Sequence, residues 1–309
     1  MLTVSERKVL LADLAMIFMA IFWGSGYGVS HMLLRQMSPL WLISLRFILS
    51  AVLVTAIFWR RVLLLTRKDM ILSTLGGLIL AGGFIFHILG LNLTTPGKQG
   101  FIQSTSVIMV PIMYAMIYKR SPGLFGFLGA VLTTLGLLVM AFTPGMTFNL
   151  GDTFSLLLAF FVALNVVSVG NFSRRMDPLG YAVVSFIAAA IIISVFAILF
   201  EPFPELTGLG SSFWKNLVYV VVMVTVMPFL IQPMAQRYSP DTHAAILQST
   251  ECLWGYAIAI AIGEEMLNWQ VFLGGMIIFL GVMVTESEIY FRKRQERRKA
   301  SQVDLPEQA

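Results

Sequence analysis

Long apolar runs, separated by short polar or turn-forming stretches, make up most of the chain. Each run is about 20 residues long, the length at which an α-helix crosses the apolar layer of a bilayer. Proline and glycine mark the joints, as at Thr95-Pro96-Gly97 and Ser239-Pro240. The pattern predicts ten transmembrane helices, and these cover residues 11–33, 39–59, 70–91, 98–118, 123–141, 151–171, 179–200, 213–236, 241–262 and 267–287.

The composition indicates a membrane protein. Hydrophobic residues make up 58% of the chain and charged residues only 12%, whereas a soluble domain carries about 25% charged residues. This leaves too little polar surface for a water-facing globule, and no stretch outside the runs is long enough for a soluble domain. We therefore expect an all-α, polytopic membrane protein whose first run is a retained span and not a cleaved signal peptide.

The lysines and arginines lie mostly on one side of the predicted spans. With the N-terminus in the cytoplasm, 17 of the 21 fall in cytoplasmic segments, three fall outside and Arg46 lies within a span. Because cytoplasmic loops are enriched in basic residues, we expect both termini in the cytoplasm and the protein in the plasma (inner) membrane. The net charge of +5 then faces anionic lipid, and nucleic acid is not an expected partner. The expected cytoplasmic ends are the segment 1–10 and a basic, disordered tail over 290–309.

The sequence contains an internal repeat. Gln103-Ser104-Thr105 returns 145 residues later as Gln248-Ser249-Thr250, and the segments 126–139 and 271–284 match at the same offset. At an offset of 139, "RQMSPL" overlays "RRMDPL", and Asp13 overlays Asp152. These matches predict two five-helix repeats, over 11–141 and 151–287.

An odd number of spans in each repeat fixes their relative orientation. The second copy begins on the side where the first ends, so the two repeats are inverted in the membrane. Inverted repeats are typical of secondary transporters, which bind their substrate near the midplane at the repeat interface. The alternative is a duplication that only built a larger membrane protein.

Several segments together resemble the EamA branch of the drug/metabolite transporter superfamily over residues 10–289. They are "FWGSGYGVSHMLL", "LRF" with Arg46, "TPGKQGFIQSTSVIMVPIMYA", and the stretch from Ser239 that contains "GEEMLNWQVFLGG". The first repeat departs from the pattern, because Tyr118-Lys119-Arg120 stands where the second has Gly-Glu-Glu. The resemblance implies secondary transport, often export, of amino acids or other small metabolites.

Two charged residues lie deep in predicted spans, where an ionisable side chain costs about 2.5–3.5 kcal/mol. Glu251 lies about 15 Å along its helix, next to the second Gln-Ser-Thr, while its repeat counterpart is Ser106. We expect its carboxylate to bind an amine or a proton; the alternative is a structural acid paired across helices. Arg46 is expected either to bind a substrate carboxylate or to pair with Glu251 or backbone carbonyls.

Polar and aromatic side chains within the spans complete the expected cavity. We predict that Gln103, Gln248 and Asn165 form hydrogen bonds to substrate, and the alternative is hydrogen bonds between helices. His87 is predicted to be a proton sensor in an outer vestibule, and the alternative is contact with interfacial water. An aromatic enclosure for an apolar, aromatic or quaternary-ammonium solute, or else ordinary packing, is expected of the aromatic residues Trp23, Tyr27, Tyr114 and Trp254.

Glycine and proline within the spans indicate close packing and bending. Pro111 and Pro228 are expected to kink their helices. The glycines of the fifth and tenth predicted helices indicate either a packing strip or a dimerisation strip, so a monomer and a homodimer both remain open; these residues are Gly126, Gly129, Gly136, Gly274, Gly275 and Gly281.

Other function classes lack the residues they need. The chain has no His-Glu-x-x-His motif, no intramembrane aspartate pair and no phosphate-binding loop, and its single cysteine, Cys252, excludes an intramolecular disulfide. We therefore expect no enzyme, no metal and no cofactor, and no selectivity loop supports a channel. The expected partners are lipid, a small-molecule substrate, and a proton or counter-substrate; a passive facilitator or exchanger of small polar or aromatic solutes is the alternative.

Overall fold

The computed structural model describes residues 4–119, 123–141, 148–261, 269–270, 272–285 and 287. The described residues form helices joined by short connections. In chain order they are α1 (Val4–Leu34), α2 (Pro39–Val62), α3 (Arg67–Leu93), α4 (Pro96–Ser104), α5 (Ser106–Tyr118), α6 (Leu124–Ala141), α7 (Leu150–Ser173), α8 (Pro178–Phe200), α9 (Ser211–Tyr219), a π-helical segment (Val220–Val226), α10 (Met227–Gln236), α11 (Asp241–Ser249), α12 (Glu251–Ala261) and α13 (Phe272–Thr285).

These helices make up ten spans, as the apolar runs predict. Three spans are composite: α4 with α5, α9 through the π-helical segment to α10, and α11 with α12. Seven spans are long and apolar enough to cross a membrane, and the apolar stretches Leu124–Val139 and Phe272–Thr285 are shorter. The predicted fold class, an all-α polytopic membrane protein with two inverted five-helix repeats, is confirmed.

The helices begin where local sequence provides a start signal. Proline follows an extended residue at the first position of α2, α4 and α8, where its missing N–H has no helical partner to lose. Thr66 and Asn149 begin α3 and α7 with capping boxes that satisfy the free backbone N–H groups. Because caps and prolines fix the starts, the observed bounds differ from the predicted ones by only a few residues, except that α1 extends toward the N-terminus through the polar stretch before Leu10.

Contacts between the repeats follow a twofold pattern. The second span, α2, packs on its counterpart α8. The contact of α3 with α7 corresponds to the contact of α1 with the π-helical segment and α10. In the same way, the contact of α1 with α12 corresponds to the contact of α7 with α4 and α5. Exchanging the two repeats therefore maps these contacts onto each other, as a twofold relation between the repeats requires.

The glycine strips of α6 and α13 face each other within the chain. A Cβ atom added at Gly136 would lie 2.6 Å from the carbonyl oxygen of Gly274, and one added at Gly281 would lie 2.9 Å from that of Gly129. Such distances require glycine, because real Cβ atoms do not approach other heavy atoms so closely. Of the two alternatives from sequence, packing inside one chain is the one observed at these four glycines.

Some predicted features lie outside the described residues. The tail over 290–309, the Gly-Glu-Glu at 263–265 and Arg120 belong to this group. The prediction of a basic disordered tail stays a prediction.

Candidate functional site

Both copies of the Gln-Ser-Thr triplet interrupt a span. Thr105 separates α4 from α5, and Thr250 separates α11 from α12. At each break the threonine hydroxyl donates to the carbonyl three residues earlier, over 2.6 Å to Ile102 and 2.7 Å to Leu247. The backbone N–H of each threonine donates to the same carbonyl, three residues earlier instead of the usual four. The two bonds replace the regular α-helical pattern for one turn. The repeated triplet therefore encodes a matched break in two symmetry-related helices.

A cavity lies beside the two breaks, between spans of both repeats. Its volume is about 90 Å³, which is below the about 300–1,000 Å³ of typical small-molecule sites. Among the ten residues predicted from sequence, eight line it, and these are Trp23, Tyr27, Arg46, His87, Gln103, Asn165, Gln248 and Glu251.

Glu251 is the acidic group of the cavity. It begins α12, where the positive end of the helix dipole favours a carboxylate. Its Oε1 atom accepts hydrogen bonds from the Tyr27 hydroxyl at 3.1 Å and from Gln103 Nε2 at 2.6 Å, and the residue is 5% exposed. Within the described part of the chain, Glu251 belongs to no ion pair. A buried carboxylate with only neutral partners has the chemistry to take up a proton or to bind an amine.

Two glycines bring α1 against the start of α12. A Cβ atom at Gly24 would lie 2.5 Å from the Glu251 carbonyl oxygen and 2.6 Å from the Gly255 nitrogen. The backbones therefore touch, and Tyr27, one turn further along α1, reaches the Glu251 side chain. This close approach of the two backbones therefore positions the carboxylate.

Arg46 is the basic group of the cavity, and it forms no ion pair with Glu251. Its Nε atom donates to Thr225 Oγ1 at 2.5 Å, and its guanidinium lies 5.1 Å from the centre of the Phe84 ring, close enough for a cation–π interaction. Thr225 belongs to the π-helical segment and donates to the Val220 carbonyl, five residues earlier. Of the described ion pairs none includes Arg46, so it is held by neutral groups.

Aromatic rings form much of the remaining wall. The Trp23 ring lies 5.3 Å from that of Phe229, and the His87 ring lies 5.8 Å from Tyr27 and 5.7 Å from Phe84, measured between centroids. Offset and tilted ring pairs of this kind are favourable packing contacts. The cavity therefore combines a mostly apolar wall with a few polar groups, as small-molecule sites do.

Several amide groups at the cavity have spare hydrogen-bonding capacity. Asn165 Nδ2 donates to Gln232 Oε1 at 3.4 Å, but Gln232 Nε2 and Gln248 Nε2 are buried and lack a partner among the described atoms. Because an unpaired buried donor is costly, we expect each of these two amide groups to donate a hydrogen bond to a molecule bound in the cavity.

The structure separates two predicted residues from the cavity and adds others. The Tyr114 ring packs against that of Tyr118 in a tilted arrangement, with centroids 4.7 Å apart, and Trp254 is 36% exposed. Neither residue lines the cavity. Gln232 and Phe84 were missed. The signal for Gln232 was present, since it is a glutamine within an apolar run; Phe84 is one of 24 phenylalanines and carried no signal of its own.

Two polar clusters join spans at opposite ends of α7. The proximal latch is the cluster that includes Asp13, in the N-terminal half of α1, and the distal latch is the other one. In the distal latch, Lys98 Nζ lies 2.6 Å from Asp152 Oδ2 and the Thr94 hydroxyl donates to Asp152 Oδ1 at 3.1 Å. The second cluster, the proximal latch, consists of two connected interactions: Arg174 Nη2 lies 2.7 Å from Asp241 Oδ1, and the Ser239 hydroxyl donates to Asp13 Oδ1 at 3.0 Å.

The latches are related by the repeat. Thr94 corresponds to Ser239 at the offset of 145, and Asp13 corresponds to Asp152 at the offset of 139. Arg174 Nη2 also donates to the Ser239 carbonyl at 3.0 Å, which links the two interactions of the proximal latch. The helix α7 is thus tied at one end to α4 and at the other to α11. Among the described residues, no group of three or more metal-ligating side chains occurs.

Comparisons with known proteins agree with this architecture. An uncharacterized transporter of Archaeoglobus fulgidus is 25% identical over 284 residues, which cover 91% of this chain and 88% of the relative. A crystal structure of a protein described without a function has the same fold, with a TM-score of 0.72, 18% identity, and coverage of 88% of this chain and 95% of the other. The EamA-like transporter family matches residues 10–142 and 149–286. The chain therefore belongs to the EamA-like transporter family, as its sequence motifs indicate.

Proposed function

We propose that the protein is a secondary active transporter that exports amino acids or other small metabolites by alternating access. The membership in a transporter family supports the general activity. The observation that carries the finer proposal is Glu251, a buried carboxylate held only by neutral groups in a cavity between the two repeats.

Glu251 has two roles in the proposed cycle. The amine of the substrate contacts its carboxylate in one state, and a proton replaces the amine in the other. The Glu251 carboxylate cannot bind the amine and a proton at the same time. A proton or a counter-substrate that enters from one side therefore drives release of the substrate on the other. The apolar aromatic wall contacts the remainder of the substrate.

Alternating access requires that the two ends of the cavity open in turn. The distal latch and the proximal latch each tie α7 to one of the two interrupted spans. In the proposed cycle only one latch breaks at a time, with the repeats 11–141 and 151–287 rocking about the cavity. The basic residues on the proximal side favour its placement in the cytoplasm, in the plasma membrane, with both termini inside.

The test is flux through the purified protein in proteoliposomes. A panel of radiolabelled amino acids and amines is loaded, and efflux is followed with and without an imposed pH gradient or an external counter-substrate. Acceleration by either driving force supports the proposal. Flux that responds only to the solute's own gradient identifies a passive facilitator instead, and turnover of a solute into another chemical species identifies an enzyme.

A further inference from the structure

The repeat places a carboxylate on one side of the cavity and a serine on the other. Gln103 corresponds to Gln248, and Ser106 corresponds to Glu251, at the same offset of 145. All four residues line the cavity. In one pairing, Gln103 Nε2 donates to Glu251 at 2.6 Å. The symmetry-related pairing is Gln248 with Ser106, whose side chain is too short to accept the equivalent bond.

The consequence is an amide donor without an acceptor. Gln248 is 5% exposed, and its Nε2 atom has no hydrogen-bond partner among the described residues. Gln232, in the preceding span, is 1% exposed, and its Nε2 atom also has no hydrogen-bond partner among the described residues. Buried amide donors are nearly always paired in proteins, so an unpaired one at a cavity requires an explanation. An acceptor supplied by a bound solute is such an explanation.

Packing needs do not account for this glutamine. A purely structural residue at position 248 would be apolar, like its neighbours Ile246 and Leu247, which are buried in the hydrophobic core. Nor does the helix break require it, because Thr250 makes the break with its own hydroxyl. The amide of Gln248 therefore has no partner within the described part of the chain to justify its burial.

We infer that Gln248 and Ser106 form a second polar subsite, which takes a hydrogen-bond-accepting oxygen of the solute. The acceptor is a carboxylate or amide carbonyl oxygen, and it occupies the position related by the pseudo-twofold to the Glu251 carboxylate. The inference rests on the proposed function, in which Glu251 takes the amine of the same solute. Two unlike subsites, one anionic and one donating, orient a solute that carries an amine and an oxygen acceptor.

Three probes that share an aromatic ring and an amine isolate the subsite. Phenylalanine carries a carboxylate, phenylalaninamide carries an amide carbonyl, and phenethylamine carries neither. Binding of each to the purified full chain is measured by calorimetry for the wild type and for Gln248→Met, which keeps the length of the side chain and removes its donor. Gln36→Met, at an exposed position outside the cavity, is the control.

The subsite predicts a pattern across the probes. The wild type binds at least one of the two oxygen-bearing probes about fivefold or more tightly than phenethylamine, as one hydrogen bond provides. Gln248→Met removes this difference and leaves phenethylamine unchanged, whereas Gln36→Met changes nothing. Whether the carboxylate or the carbonyl is preferred follows from which probe shows the difference.

Four results would overturn the inference. Equal binding of all three probes to the wild type contradicts the subsite while leaving the amine site of Glu251 intact. A preference that survives Gln248→Met places the acceptor elsewhere, and an equal loss for every probe makes Gln248 a structural residue. No binding of any probe contradicts the proposed amine site itself, and the inference falls with it. Thermal unfolding of each variant confirms that it is folded.

Discussion

Lys98 and Asp152 form an ion pair with a nitrogen–oxygen distance of 2.6 Å between the first turns of α4 and α7. The Asp152 side chain is fully buried and that of Lys98 is 13% exposed. Removing one partner of a buried pair leaves an uncompensated charge, which costs about 3–5 kcal/mol. At this end, α4 and α7 are therefore held together by an interaction that a single substitution converts into a destabilising one.

Lys98→Met is expected to open the distal end. The unpaired Asp152 carboxylate favours conformations in which water reaches it, so hydrogen–deuterium exchange at the starts of α4 and α7 rises. Exchange at the opposite end, around Asp241, stays as in the wild type. Lys215→Met, which removes an exposed lysine near the start of α9, is the control and leaves both ends unchanged. Unaltered exchange in Lys98→Met would show that the pair does not hold this end closed.

Arg174→Met is expected to loosen the opposite end of the molecule, at the proximal latch. It removes the cation 2.7 Å from the fully buried side chain of Asp241, so exchange rises at the start of α11 while the distal latch keeps its protection. Arg175→Met is a matched control, because this neighbouring arginine is exposed and belongs to none of the described ion pairs. An identical response in the two variants would contradict a latch at Arg174.

Glu251→Gln is expected to abolish coupling without unfolding the protein. The amide has the size of the carboxylate, and its oxygen still accepts from Tyr27 and Gln103, but it takes neither a proton nor an amine's charge. Efflux in proteoliposomes should lose its dependence on a pH gradient and fall at least tenfold for amine substrates, a loss of about 1.4 kcal/mol. Glu205→Gln, in the exposed segment after α8, is the control. Coupled efflux at the wild-type rate in Glu251→Gln would exclude the proposed role.

The fold follows from sequence because its signal is coarse. Apolar length sets the number of spans, the basic residues predict their orientation, and the repeat offset relates the two halves. These properties depend on many residues at once, so individual exceptions do not disturb them. The confirmed family resemblance rests in the same way on motifs distributed along the chain.

The site was predicted where a polar residue interrupts an apolar run, and in part from the aromatic residues Trp23 and Tyr27. Gln103, Gln248 and Glu251 gave this signal, and all three line the cavity; their roles in binding stay predictions. The helix breaks at Thr105 and Thr250 were not predicted, because a threonine hydroxyl bonding to its own helix leaves no mark in hydropathy. The contact of Arg46 with Thr225 joins residues 179 positions apart, and no local pattern encodes such a pairing.

Thr225→Val is expected to destabilise the protein through Arg46. Valine keeps the shape of threonine but removes the oxygen that accepts from Arg46 Nε, which leaves a buried charged donor unpaired at a cost of about 1–3 kcal/mol. Thermal unfolding in detergent measures the loss. Thr134→Val is the matched control, because the Thr134 hydroxyl donates to the Ala130 carbonyl of its own helix. Equal unfolding temperatures for the two variants would contradict a stabilising role for the Arg46 contact.

Gly24→Ala and Gly28→Ala, one turn apart on α1, separate the effect of a Cβ atom from that of helix propensity. At Gly24 the new atom meets the backbone of α12 at 2.5 Å and 2.6 Å, whereas at Gly28 it meets nothing within 4 Å. Alanine favours a helix over glycine by about 1 kcal/mol, so Gly28→Ala is expected to be neutral or stabilising. Gly24→Ala must push α12 away from α1, which costs about 1–3 kcal/mol and lengthens the Tyr27–Glu251 hydrogen bond. Thermal unfolding should therefore shift in opposite directions or only for Gly24→Ala, and substrate efflux should fall for that variant alone. Equal behaviour of the two variants would mean that α1 and α12 are free to separate, and that Glu251 is positioned by some other contact.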